Sequence, residues 1–497
     1  MKIELKNNKG FDWFHSENLH AKGYAFVGNE LIINDAWVSY FEDTESSEDF
    51  HRKVCECNGF FAIVLKLEKE TLVAVDHIRS FPLFYSPELN VVSDMAENLV
   101  SNFKEYQINK SASREFFSTG YVTDKDTLIN GLYQAQAGEI TIINSERIQR
   151  KVYYDHIHMT EEEFSEGEYL KKLNSVFVNT FTRLQTLYAD KTIVISLSGG
   201  YDSRILAFMC KIMGIKDVIC FTYGAKNDDD VIKAHYIAGK LGFPIHFVNY
   251  SKGSRQLYQS QLSKDYDSYA FNYVSIPHIQ DFQALNYLLE ENKIPQNSVV
   301  ISGHCGDFIS GRHLENIITN KQNPAPEDMA DEIIRLQYSI FKLTKEEKNV
   351  FKNKILSLIP KSKRIDYGTV YENWIWKERM AKFLVNSIRA YEFFDLKWHL
   401  PLWDKELAEF FLALPKKYRQ NQSLYRKYIE TLFPDIKINI KKVPKLYWMR
   451  DIKFKRYCLL ELIRMLKLSL YFSDFTKPDR RTIHKLNLVR FIKFLEK

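Results

Sequence analysis

The stretch SLSGGYDSRIL, Ser196 to Leu206, decides how this chain is read. The lead-in KTIVISL has the length and β-branched content of a buried strand. The continuation SRILAFMCKIMG spaces Ile205, Leu206, Met209 and Met213 as one face of a helix, and Gly214 is a helix stop. The polar residues between them therefore form a strand-to-helix turn. In an open α/β sheet, such turns at the carboxyl ends of strands are where ligands bind.

Backbone N–H groups at a helix start are unpaired and carry the positive end of the helix dipole, so they attract anions. Gly199 and Gly200 remove side chains where a phosphate must approach, and Ser198 and Ser203 add hydroxyl donors. Asp202 alone would repel phosphate, but it suits a divalent cation that bridges phosphate oxygens. S-G-G-x-D-S thus reads as a seat for pyrophosphate with a metal, against the plainer alternative of a capped turn. It is not a GxxxxGK[ST] loop, because no lysine follows the glycines.

The chain of 497 residues is too long for one core, so two or three domains are expected. Its 45% hydrophobic and 27% charged residues are those of an ordinary globular protein. No apolar leader opens the sequence and no stretch approaches eighteen uncharged apolar residues, so a cytoplasmic protein with no membrane span is expected. Six cysteines (Cys55, Cys57, Cys210, Cys220, Cys305, Cys458) lack paired metal spacing and read as reduced thiols. The net charge of +6 is uneven: residues 441–497 hold sixteen Lys or Arg against five Asp or Glu. A solvated helical cap is favoured for this tail over an anionic partner, and no nucleic acid is expected.

Residues 1–155 read as a β-rich unit, with ELIIN, GFFAIVLKL, TLVAVD, LFYS, NVVSD and EITIIN as short strands. An acidic, polar stretch then marks a boundary. The helical pattern YLKKLNSVFVNTFTRLQTLYA leads into the decisive strand. Beyond it DVICFTYG, PIHFVNY and NSVVISG alternate as strands with the helices DDDVIKAHYIAGKLG and FQALNYLLEEN. From about residue 325 helical periodicity dominates. The expectation is an α/β protein: a first unit over 1–155, then a doubly wound parallel sheet with a largely helical C-terminal part over 165–497.

SGGYDS resembles the pyrophosphate loop of ATP pyrophosphatase-type enzymes, which cleave ATP to AMP and pyrophosphate. A second turn, ISGHCGDF at 301–308, is similar to the S-G-E-G-S-D-E segment of asparagine synthetases. HLPLWDKELAEFFLALP, SLYRKYIETLFPD and KKVPKLYW resemble that family's later half. GFFAIVL, DHIRSFPLFY and TLINGLYQAQAGEITII are similar to its glutaminase domain. The resemblance implies an Ntn-like, class II amidotransferase-type sandwich followed by the synthetase domain, as in the related β-lactam synthetases and lasso-peptide cyclases. It implies ATP and Mg²⁺ as cofactors. Leu197, Ser198, Gly199, Gly200, Asp202 and Ser203 would wrap the ATP phosphates, and Asp202 and Asp307 would share the metal. Tyr223 would lie against adenine, with Ser302 and Gly303 opposite. Lys445 matches a lysine that neutralises charge at the α-phosphate, with Lys441 and Lys442 as neighbouring candidates.

The departures are equally specific. A glutaminase of this type uses an N-terminal cysteine with its own amine as base, whereas Met1 is followed here by Lys2 and the first cysteine is Cys55. The R-G-P-D and N-G-E-x-Y-N segments are missing. The first unit is therefore expected to be degenerate, a structural remnant or docking surface. His304 stands where glutamate is usual, so it reads as a base for an attacking amine or as a histidine bonding neighbouring backbone. Phe308 replaces an acidic residue, and Arg204 replaces a small one.

The expected activity is AMP-forming amide ligation: adenylation of aspartate or a related acid, then attack by ammonia or an amine. Its partners are small molecules, with a homodimer left open. The alternatives are a dedicated amide former (a polysaccharide sugar acid, a β-lactam or a cyclised peptide) and a nucleotide-binding pseudoenzyme.

Overall fold

Alternation along the strands sets the first layer. On the strand Asn58–Lys66, Phe60, Ala62 and Val64 point into one core while Phe61, Ile63 and Leu65 point into another. Period-2 side chains that are apolar on both faces require cover on both faces. The computed structural model supplies it, describing residues 1–159, 164–250, 257–258, 260–316, 325–340, 343–360, 366–436 and 438.

In chain order the strands of the first unit are Lys2–Glu4 (β1), Trp13–His15 (β2), Leu19–Val27 (β3), Glu30–Ile33 (β4), Asn58–Lys66 (β5) and Glu70–Val75 (β6). Phe84–Ser86 (β7), Val91–Ser93 (β8), Tyr133–Gln134 (β9), Glu139–Asn144 (β10) and Ile148–Val152 (β11) follow. Seven of them form a sheet in the order β11-β10-β6-β5-β3-β2, with β4 also on β3, and four form a second sheet, β1-β8-β7-β9. The helices Ala36–Phe41 and Ser47–Glu56 cover one face of the larger sheet with Trp37, Phe41, Phe50 and Val54.

The second sheet system is wholly parallel. Ile193–Ser196 (β12), Val218–Gly224 (β13), Ile245–Asn249 (β14), Val299–Ile301 (β15) and Lys397–His399 (β16) lie in the order β14-β13-β12-β15-β16. This is the doubly wound arrangement, and the order reverses between β12 and β15. The helix before it, Glu166–Tyr188, opens on a capping box in which Ser165 and Glu168 satisfy each other's backbone N–H groups. The helix after β12 runs Tyr201–Ile212, and Gly214 adopts φ +66, as a stop requires.

The strands β12 to β15 lie where the sequence places them, whereas β16 falls in the region read as helical. Its three residues KWH carry no strand signal of their own, and β15 templates them through the pairs Val300↔Trp398 and Ile301↔His399. One core runs from the first unit into the parallel sheet: Trp398 packs among Phe11, Phe60 and Phe81 with ring centroids 5.3–5.9 Å apart.

Candidate active site

The two turns flagged in the sequence follow β12 and β15, the neighbouring strands at which the order reverses. They meet over Asp202. Its Oδ2 accepts the backbone N–H of Asp307 at 3.0 Å and its Oδ1 accepts the Tyr425 hydroxyl at 3.0 Å. Two glycines permit the approach. A Cβ on Gly303 would lie 2.8 Å from the backbone of Asp202 and Ser203, and one on Gly306 would lie 2.6 Å from the Asp202 carboxylate. The turn between them is held by Cys305, whose φ of +68° is a left-handed conformation rare for a side-chain-bearing residue.

The first turn folds on its own serines. Ser203 Oγ accepts from the Ser198 N–H at 2.9 Å and lies 3.0 Å from Ser198 Oγ, which accepts the Gly200 N–H at 3.1 Å. Leu197 is buried and its N–H donates to Phe221 O on β13. Arg204 turns back, donating from Nη2 to Gly199 O at 2.9 Å and stacking on the Tyr201 ring at 4.7 Å. It braces the loop from beneath.

The electrostatics centre on the two aspartates. Burial, and then the nearby Asp307 carboxylate, push Asp202 up to about 7. The Asp307 side chain is 36% exposed and lies 3.6 Å from Arg312. Two hard carboxylates at the mouth of a glycine-lined turn suit Mg²⁺, which takes one or two protein carboxylates and completes its shell with water and phosphate oxygens. Among the described residues no cluster of three or more His, Cys, Asp or Glu forms a self-sufficient metal cage.

His304 is half-buried, and its Nδ1 lies 2.8 Å from Ser387 Oγ. Burial holds its pKa below the usual histidine value, against the opposing pull of Asp281 and Asp307. The sequence alternative, a bond to neighbouring backbone, is replaced by this side-chain contact from a distant helix. Ser302 is buried beside it. Tyr223, at the end of β13, donates to Asp281 Oδ1 at 2.6 Å and stacks on Tyr250 with centroids 4.6 Å apart. Tyr391 donates to the other Asp281 oxygen at 2.6 Å. Phe308 is buried against His156 and Trp403.

Leu197 to Ser203, Ser302, Gly303, His304 and Asp307 are thus brought together, with Tyr223 on the adjacent strand. Lys441, Lys442 and Lys445, and the basic tail, lie outside the described residues. The sequence alone assigns no role to Tyr425, Arg312, Ser387 or Asp281. Tyr425 lay within a segment already matched to the family, SLYRKYIETLFPD, while Ser387 is 83 residues from His304 and carried no signal.

This geometry sets a glycine- and serine-rich turn and a second turn bearing Asp307 on neighbouring strands of one parallel sheet. The family model described as Asparagine synthase matches residues 182–464, more than half of the chain. The chain belongs to the asparagine synthase family.

A curated relative, the "Probable asparagine synthetase [glutamine-hydrolyzing]" of Acanthamoeba polyphaga mimivirus, is 28% identical over 157 residues. That match spans 31% of this chain and 27% of the relative. Among solved structures, the NMN synthetase of Francisella tularensis is similar at 17% identity and a TM-score of 0.20, over 39% of this chain and 94% of that one. The NH3-dependent NAD synthetase of Campylobacter jejuni is similar at 13% identity and a TM-score of 0.20, over 40% and 99%.

Proposed function

We propose that this protein is an ATP-dependent, AMP-forming carbon–nitrogen ligase. The observation that carries the reading is the convergence of two aspartates and a glycine turn at the reversal point of the sheet. Ser198, Gly199, Gly200 and Ser203 bind the diphosphate end of ATP, and Tyr223 faces the adenine. Asp202 and Asp307 would hold a Mg²⁺ ion, which when bound would supply positive charge to neutralise the departing pyrophosphate. An oxygen of the substrate carboxylate attacks the α-phosphorus and the bond to pyrophosphate breaks, leaving an acyl-adenylate. Ammonia or an amine then attacks the acyl carbon, its proton passes to His304, and AMP departs. A lowered pKa keeps His304 neutral and receptive at pH 7. Lys445 is assigned to the charge at the α-phosphate.

The chain divides in function at 1–155 and 165–497, and the first part does not release ammonia from glutamine. Supporting this, burial raises the Cys55 thiol and pushes Cys57 up to about 12, the opposite of an activated nucleophile. Among the described residues no helix is long and apolar enough to cross a membrane.

ATP–pyrophosphate exchange, screened over carboxylic acids, tests the reading. Acid-dependent exchange is expected, and ATP binding without exchange for any acid would favour a pseudoenzyme. His304→Gln should slow amide formation at least tenfold while leaving exchange largely intact. Equal loss of both would remove the base role.

A further inference from the structure

Four tyrosine hydroxyls reach one short segment, residues 278–281, from four places in the chain. Tyr266 donates to the His278 carbonyl and Tyr250 to the Gln280 carbonyl, each at 2.6 Å. Tyr223, on β13, and Tyr391 donate to the two oxygens of Asp281, again at 2.6 Å. Tyr391 belongs to the short helix Arg389–Phe393, a few residues beyond the π-helix Ile375–Leu384. Its hydroxyl also shares a hydrogen bond with Ser302, at the start of the second turn. The His278 ring meets that of His304, with centroids 5.9 Å apart.

Asp281 stands at the cap position of the helix Phe282–Glu290, where an aspartate side chain ordinarily accepts a first-turn N–H. Here it accepts none, and the Tyr250 hydroxyl takes the Ala284 N–H instead, at 3.1 Å. The carboxylate, 4% exposed, is thereby released to the two phenols. An ionised carboxylate only accepts, so it satisfies two O–H donors at once, whereas an amide would turn an N–H toward one of them. A hydrogen-bonded chain, Tyr223–Asp281–Tyr391–Ser302, results. It runs from the end of β13 to the residue after β15. Those two strands flank β12 and its glycine turn on either side.

We propose that Asp281 is a positioning residue for the nucleotide. It fixes the Tyr223 ring against the base and, through Tyr391 and Ser302, holds the second turn at a set distance from that ring. This rests on the proposed ATP site and adds to it a residue that acts without touching ATP. Tyr391 serves the same end from the other side. Because the bonds run in series, losing one hydroxyl loosens both walls of the pocket.

Calorimetric titration of ATP with Mg²⁺ into the wild type, Asp281→Asn, Tyr391→Phe and the double variant tests it, alongside exchange kinetics. Asp281→Asn should weaken ATP binding roughly tenfold and Tyr391→Phe about three- to tenfold, with the KM for the acid unchanged. In the Asp281→Asn background, Tyr391→Phe should cost far less than it does alone, because both act through one carboxylate. Tyr391→Phe deletes a single hydroxyl and keeps its ring, so it carries the test should Asp281→Asn fail to fold. Undiminished ATP affinity in Tyr391→Phe overturns the positioning role and leaves adenylation standing. Costs that add in full in the double variant overturn it too, since the two residues then act apart. A KM for the acid that rises in step with that for ATP shows general loosening and overturns the specific role. A wild type that binds ATP but exchanges with no acid removes adenylation, while the same titrations still decide the role of Asp281. A wild type that binds no ATP removes both.

Discussion

At the scale of single residues, the Asp202 proton is the most informative. Its carboxyl is raised to about 7 in the fold, against 3.8 for the free group. Between about pH 4 and 7 the folded chain holds a proton that the unfolded chain has released. Stability without ligand therefore falls as pH rises across that window. Asp202→Asn should raise stability at pH 8 by roughly 2–4 kcal/mol and change little at pH 4, as read from denaturant midpoints. A variant less stable at pH 8 would show that the Tyr425 and Asp307 contacts outweigh the buried charge. Mg²⁺ affinity should rise with pH through the same window, since the cation binds the ionised form. This residue was legible from its neighbours in sequence, because S-G-G-x-D-S is a contiguous signal. Ser387 carries no such signal, because it reaches His304 across 83 residues of chain, and Tyr425, 223 residues from Asp202, is marked only by the family-like segment around it.

Among the elements, local patterning revealed those whose own residues specify them. β12, β13, β14 and β15 are apolar runs bounded by turn residues and lie as expected. β3 was missed because Lys22 and Gly23 interrupt its pattern. In the fold Lys22 is 2% exposed and its ammonium reaches the carbonyl of Asn7. β16 was missed because its neighbours make it a strand, and the π-helix because no sequence rule marks one. β16 is also where the first unit meets the parallel sheet. Trp398 fills that junction and donates to Glu392 at 2.9 Å. Trp398→Ala should cost roughly 3–5 kcal/mol in chemical denaturation. A loss below about 1 kcal/mol would make the junction peripheral.

For the molecule as a whole, one core joins both parts. Tyr24 on β3 lies 2.6 Å from His399 on β16, and Asn58 bonds Asp404 beyond it. Composition and strand pattern give no sign of this union, since contacts between distant segments leave no periodic trace. The central claim is that Asp202 and Asp307 together seat the cation on which diphosphate binding depends. Calorimetric titration of ATP, with and without Mg²⁺, into the wild type and the Asp202→Asn and Asp307→Asn variants tests it most directly. The account predicts Mg²⁺-dependent binding in the wild type, weakened at least tenfold by either substitution. Mg²⁺-dependent binding of undiminished strength in both variants would contradict it.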